Sequence, residues 1–230
     1  MLTERELNLS TPAQELMREL LLVWLDFERR LGKIPIIRRL EQGTFSRHDY
    51  FALLRNLRQQ VIEGSRWITR AASSFDANHS ELRSTIIGHA VDEHRDYKML
   101  ENDFVAIGGS REEIEKTPRN IGTDALCGYL MNQASQPNPI DLLGAMFIIE
   151  GLGNKMATKW SSRINDLLRL KGEGTAFLSY HGKNDEAHFE KLYTIIDSEI
   201  VNADAAAGIV RTAKVTARLY ALQLEEIDNV

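Results

Sequence analysis

Three residues of types that commonly bind metal ions stand close together in SYHGKNDEAHFEK, residues 179–191. His181, Asp185 and His188 are spaced i, i+4 and i+7, and in an α-helix these offsets place the side chains within an arc of about 60°. Imidazole nitrogens and carboxylate oxygens are ligands for iron, manganese and zinc. A single helical histidine is more often a solvated polar residue, but three such residues on one helical face favour a metal site.

A second stripe of the same kind lies in HAVDEHRD, residues 89–96. His89, Glu93 and Asp96 repeat the offsets i, i+4 and i+7, so they are expected to share one face of a helix. His94 lies about 100° from Glu93 on a straight helix, which would turn it away from a site that Glu93 faces. The two stripes together predict two helices that contribute acids and imidazoles to one region.

A further acid, Glu150, lies in the apolar segment MFIIEGLG. A carboxylate buried there is costly unless it is paired, protonated or bound to a metal, so Glu150 is predicted to have such a partner. Glu63, in QQVIEGSRW, has more polar neighbours in the sequence. For Glu63 two interpretations stay open, a metal ligand or supporting residue, and a solvated or ion-paired acid.

Helical periodicity predicts the elements that must position these residues. Apolar residues recur with a helical period over about 11–31, 46–73, 80–107, 123–134, 140–170 and 203–227. The stretch 80–107 is interpreted as one unbroken helix, and the stretch 140–170 is the most apolar. No alternation typical of strands has a useful length, so the predicted fold class is all-α, with helices long enough to form a bundle.

Composition limits the classes of function. The 230 residues, 43% of them hydrophobic, predict one domain over 1–230. A net charge of −5 without a block of basic residues argues against nucleic acid as a partner. Cys127 is the only cysteine, which excludes an intramolecular disulfide. The sequence shows neither a signal-peptide pattern nor an apolar run long enough to cross a bilayer, so a cytoplasmic protein without a membrane partner is expected.

Acids and imidazoles that converge from several helices are what a dinuclear iron or manganese centre needs. The Glu-x-x-His motif of ferritin-like proteins does not occur here. From LEQGTFSRHDYFALL to FLSYHGKNDEAHFEKLY, the chain instead resembles the heme-oxygenase-like diiron oxidases and oxygenases, which are related in fold to thiaminase II, the pyrroloquinoline quinone synthase and heme oxygenase. His181, Asp185 and His188 match the His-x3-Asp-x2-His motif of that family, and Glu150 matches its preceding glutamate in spacing and in its EGLG context.

The sequence departs from the family pattern on the helix near residue 90. The family usually has Glu-x2-His or Glu-x6-His there. Glu93 matches the glutamate, but the position three residues later is Asp96 and the position seven residues later is Leu100. Asp96, His89 or His94 could supply the missing ligand, and we rank them in that order.

The resemblance implies a heme-oxygenase-like bundle of about seven helices that binds two Fe(II) per chain, one of them more weakly, and uses O2 as a cosubstrate. The implied ligands are Glu93, Asp96, Glu150, His181, Asp185 and His188, with Glu63 and His89 as further candidates. Expected substrates are amino acid or fatty acid derivatives that undergo N-oxygenation, desaturation or C–C cleavage. An external electron donor and a homodimer are compatible with the resemblance. An amino acid substrate would need a cation for its carboxylate, and the sequence offers Arg66, Arg70 and Arg95.

Two alternatives of other classes stay open. The first is a metal-free binding or interaction protein of the same fold. The second is a thiaminase II-like hydrolase that uses Cys127 as its nucleophile, although a lone cysteine among apolar residues is more often a small core residue. Heme degradation is disfavoured because residues 12–31 contain no histidine that could bind heme iron from the first helix.

Overall fold

Stretches with apolar residues at helical spacing make up most of the chain, and the computed structural model shows them as α-helices that bury their apolar faces against one another. It describes residues 6, 8–170 and 172–229, without the side chains of residues 183–187. The α-helices are α1 Thr11–Leu31, α2 Pro35–Gln42, α3 Arg47–Ser74, α4 Ser80–Glu93, α5 Tyr97–Ala106, α6 Arg111–Lys116, α7 Ile121–Ala134, α8 Leu143–Leu152, α9 Thr158–Leu168, α10 Ala176–Ile196 and α11 Ala203–Glu225. No strand occurs in the described ranges, and the all-α class is confirmed.

Two long helices organise the packing of the bundle. α11 lies along α8, α7 and α1, while α3 lies along α4, α7 and α5. The approach of α8 to α11 is close because Gly144 has no side chain, and a Cβ atom there would collide with the backbone of Ile209. α10 packs against α8 and against the segment that follows it. Within the described residues, no helix is long and apolar enough to cross a membrane.

The helix predicted over 80–107 is broken in the structure. α4 ends at Glu93, residues 94–96 form a turn, and α5 begins at Tyr97. The turn contains no proline or glycine, which are the usual local causes of a helix break. The prediction of one unbroken helix was therefore wrong, and a straight-helix phase no longer relates Asp96 to Glu93.

A short π-helix, Gly153–Ala157, joins α8 to α9. Each π turn accommodates one extra residue, and such turns inside α-helices occur frequently at functional sites. Here the π-helix begins three residues after Glu150. α10 contacts it closely, since a Cβ atom at Gly182 would collide with Thr158, the residue that follows the π-helix. The missing side chain at Gly182 thus lets the part of α10 around His181 approach α8 and α9.

The start of α10 is held by a residue of α5. Asp103 accepts a hydrogen bond of 2.9 Å from each of the backbone N–H groups of Ala176 and Phe177. These N–H groups belong to the first turn of α10, where no helical carbonyl is available to accept from them. Asp103 therefore fixes the start of α10, which carries His181 and His188, relative to α5, which begins directly after Asp96.

Candidate metal centre

Four neighbouring segments bring acids and imidazoles together inside the bundle. The last turn of α4 supplies His89 and Glu93, and the turn after α4 supplies Asp96. α8 supplies one acid, and α10 supplies two imidazoles. All are buried except Glu93, whose side chain is 17% exposed. The cluster consists of His89, Glu93, Asp96, Glu150, His181 and His188.

The first group of ligand atoms is centred on Glu150. His89, Glu93, Glu150 and His188 each place one potential ligand atom within 4.8 Å of the other three. Nε2 of His89 lies 3.3 Å from Oε1 of Glu150, and Nδ1 of His188 lies 3.0 Å from Oε2. Nδ1 of His188 is also 3.8 Å from Oε1 of Glu93. These four side chains form a compact set of two imidazoles and two carboxylates.

The second group adjoins the first. Glu93, Asp96 and His181 also place one potential ligand atom each within 4.8 Å of one another, and Nε2 of His181 lies 3.4 Å from Oδ2 of Asp96. Glu93 belongs to both groups. A carboxylate has two oxygen atoms and can contact two cations, so Glu93 could be the bridging acid of a dinuclear centre.

The two glutamates of the first group differ in the direction in which their pKa values are shifted. Burial, reinforced by the charge of Glu150, raises the pKa of Glu93 from 4.5 to about 7 despite the opposing effect of nearby imidazoles. Burial alone would also raise the pKa of Glu150, but hydrogen bonds with His188 and His89 outweigh it and lower that pKa. The first group thus contains one readily ionised acid and one that retains a proton up to about neutral pH. A divalent cation could replace that proton.

The partners of these glutamates differ from those of Glu101, another buried glutamate. Glu101 is paired with Arg58 at 2.9 Å and with Arg111, and such pairs compensate a buried charge. Among the described residues, neither Glu93 nor Glu150 forms an ion pair with an arginine or lysine; their ion-pair partners are imidazoles. Neutral imidazoles are metal ligands but poor counterions, so this donor set fits a bound cation.

Two predicted candidates lie outside the cluster. Glu63 is paired with Arg66 at 2.8 Å and with Arg119 at 2.5 Å. Of the two interpretations of Glu63, the structure agrees with an ion-paired acid and not with a metal ligand. The reason is the position of Arg119, 56 residues later in the chain, beside the acid. His94 is exposed, and its Nδ1 atom lies 2.7 Å from the backbone oxygen of Val91.

The structure brings both Asp96 and His89 into the cluster, but into different groups, so they are not alternatives for one position. Asp185 lies in α10, and its side chain falls outside the described part of the chain. Sequence reasoning missed Asp103 and Gly182, which position α10. Neither has a local signal, because their roles depend on distant residues.

A cavity of about 100 Å³ adjoins the cluster. His89, Glu93, Glu150 and His181 contribute to its wall, and most of the remaining wall is apolar. Cys127, the nucleophile of the hydrolase alternative, is not among the lining residues of this cavity. Burial raises the pKa of its thiol to about 11, which disfavours the reactive thiolate at neutral pH.

Comparison with known proteins identifies the fold. No family of known sequences matches this chain, and no curated protein does. Among solved structures, it is similar to a domain of unknown function with a heme oxygenase-like fold from Shewanella denitrificans OS217, with 18% identity, a TM-score of 0.86, and coverage of 93% of this chain and 92% of that one.

Two TenA homologues are also similar. The one from Pseudomonas syringae pv. tomato DC3000 has 13% identity and a TM-score of 0.79, covering 98% of this chain and 96% of that one. The one from P. horikoshii OT3 has 16% identity and a TM-score of 0.72, covering 93% and 96%. The chain therefore has a heme oxygenase-like fold, as the sequence resemblance predicted.

Proposed function

We propose that this protein is a non-heme diiron enzyme that uses O2 to oxidise a small organic molecule. One observation carries the proposal: the Glu93 carboxylate belongs to both groups of potential ligands, and each group contains at least one further carboxylate and one imidazole. This is the donor set that dinuclear carboxylate centres in helical bundles use. The resemblance of the HGKNDEAH segment to the family motif supports the same assignment.

Each iron ion would have its own ligand group. His89, Glu150 and His188 would hold one ion and Asp96 and His181 the other, with Glu93 between them. Asp185 is the further ligand that the family motif implies for α10. When bound, the ferrous ions supply electrons for the reduction of O2. Two Fe(II) per chain and O2 as cosubstrate are thus parts of the proposal.

The protein's own residues would prepare the reaction space. Glu150 accepts hydrogen bonds from two imidazoles and so fixes the orientation of His89 and His188. The apolar wall beside the cluster, which includes Leu57, Trp67 and Ile149, would keep bulk water away from the reacting atoms. A substrate in the cavity would lie next to Glu93 and His181, at the junction of the two groups.

Anaerobic reconstitution with Fe(II) tests this proposal. We expect between one and two irons per chain, and we expect the loaded protein to consume O2 when air is admitted. Parallel loading with Mn(II) compares the two metals that suit such a donor set. A protein that retains no transition metal after reconstitution would contradict the proposal and support the metal-free binding protein.

A thiaminase II-like hydrolase is the second candidate, because two of the similar solved structures are TenA homologues. That function would require a reactive Cys127 thiolate, whereas the thiol is buried with a raised pKa and lies outside the cavity lining. The variant Cys127→Ala distinguishes the two functions. Hydrolysis of thiamin by the wild type and its loss in the variant would favour the hydrolase, while unchanged O2 consumption in the variant supports the diiron enzyme.

A further inference from the structure

The cavity beside the metal centre is long and narrow. Its wall includes residues of α3 from Leu53 to Ile68, positions that lie about 22 Å apart along a helix axis. The cavity nevertheless has a volume of only about 100 Å³. These proportions fit an extended chain better than a compact ring system.

The chemistry of the wall also limits the ligand. No arginine or lysine lies among the described residues that line the cavity. Arg66 is paired with Glu63, Arg70 donates to the hydroxyl of Ser135, and Arg95 is exposed, so none of the three cations suggested by the sequence lines it. In the metal-free protein, the carboxylate of a free amino acid would find no cationic side chain among the described lining residues, and a hydrocarbon chain needs none.

A second, smaller cavity of about 20 Å³ continues further along α3. Its wall, formed by α3, α4 and residues 139–146, consists entirely of apolar residues and extends to Phe75. Three residues line both cavities: Trp67, Ile68 and Met146. These shared residues form the partition between the two spaces.

Met146 is the most adaptable part of this partition. Its side chain is only half-buried and unbranched, whereas Trp67 and Ile68 are buried and stiffer. It also lies one helical turn before Glu150 on α8, so the partition is close to the metal cluster. A change in the size of this one side chain would therefore lengthen or shorten the space available beside the cluster.

We propose that the central cavity binds the extended hydrocarbon chain of an aliphatic ligand, and that Met146 determines the longest chain that fits. The ligand would lie along α3, past Glu93 and Glu150, with one end against the partition. The inference rests on the proposed function only in naming this ligand as the substrate, since binding of an uncharged chain requires no metal.

Calorimetry tests the inference. The affinity of the metal-free protein is measured for a series of straight-chain alcohols, from 1-hexanol to 1-dodecanol. Each methylene that enters the cavity should tighten binding by about fourfold, until the chain reaches the partition. We expect Met146→Ala to move this limit to a longer alcohol and Met146→Phe to a shorter one. Met131, also half-buried against the core but in neither lining, provides the matched control Met131→Ala, which should keep the wild-type limit.

The same limit in wild type and in both Met146 variants, with folding verified by circular dichroism, would overturn the inference. Tighter binding of L-leucine than of 1-hexanol would also overturn it. If Met146→Phe does not fold, the comparison of wild type with Met146→Ala still tests whether Met146 sets the length limit. If the protein binds alcohols as expected but retains no iron, the proposed function is contradicted and this inference stands. If the protein loads iron but shows no length limit, this inference is contradicted and the proposed function stands.

Discussion

Nε2 of His89 lies 3.3 Å from Oε1 of Glu150, so the last turn of α4 and the end of α8 meet through two buried side chains. The other oxygen of the same carboxylate lies 3.0 Å from Nδ1 of His188 on α10. Glu150 therefore connects three helices. A carboxylate between two imidazoles is a suitable ligand for a cation.

The variant Glu150→Gln should lose iron from the first group and keep the metal-free fold. The amide oxygen can still accept a hydrogen bond from His188, so we expect the free energy of unfolding to change by less than about 2 kcal/mol. The amide lacks the negative charge that attracts the cation. Iron analysis and thermal unfolding measure the two effects, with the exposed Glu112→Gln as control. Full iron retention in Glu150→Gln would count against a ligand role.

Glu93→Ala and Asp96→Ala should differ in the number of irons lost. Glu93 belongs to both groups and Asp96 to one, so we expect the first variant to lose affinity at both sites and the second to lose about one iron per chain. Asp92→Ala is the matched control, because Asp92 is exposed and pairs with Lys191 at 3.4 Å. Equal losses in Glu93→Ala and Asp96→Ala would show that the carboxylate does not bridge the sites.

The two histidines near the end of α4 provide a second comparison. His89→Ala should remove a ligand of the first group, whereas His94→Ala should retain the wild-type iron content because that ring is exposed and faces the backbone of Val91. Iron counting after identical reconstitution measures both. Loss of iron in His94→Ala alone would show that the turn at 94–96 has another conformation in the loaded protein.

Much of the cluster could be predicted from the sequence because helical spacing is a local property. The offsets of His89 and Glu93, and of His181 and His188, already place each pair on one helical face, and the structure brings the two faces together. The apolar surroundings of Glu150 likewise indicated a buried acid in need of a partner. The domain organisation over 1–230 stays a prediction, as do the partners.

The features that could not be predicted from the sequence depend on tertiary contacts. No proline or glycine marks the helix break after Glu93, so helix propensity does not predict it. The proximity of Asp96 to His181 therefore could not be predicted either. The pairing of Glu63 with Arg119 needed the packing of segments 56 residues apart. The partition at Met146 is a property of assembled helices, and no spacing rule indicates it.

The stability of the metal-free protein should depend on pH through Glu93. Its raised pKa means that the folded protein keeps a proton that the unfolded chain releases above about pH 4.5. The resulting stabilisation is complete below that pH and is lost as the pH rises through about 7, by at most about 3 kcal/mol. Glu150, with its lowered pKa, acts only at more acidic pH.

Thermal unfolding between about pH 5 and pH 8 measures this effect. We expect the Tm of the metal-free wild type to fall across this range. Glu93→Gln, which stays uncharged, should show a smaller fall because the remaining dependence comes from other groups. Identical pH profiles for the two proteins would contradict the assignment of the raised pKa to Glu93.

Mössbauer spectroscopy tests the central claim, a dinuclear centre bridged by Glu93, most directly. The protein is loaded anaerobically with 57Fe(II), freed of unbound metal and then exposed to O2. The structure leads us to expect an exchange-coupled pair of ferric ions with a diamagnetic ground state, and Glu93→Ala should lose this signal. Spectra that contain only uncoupled, mononuclear ferric iron in the wild type would contradict the claim.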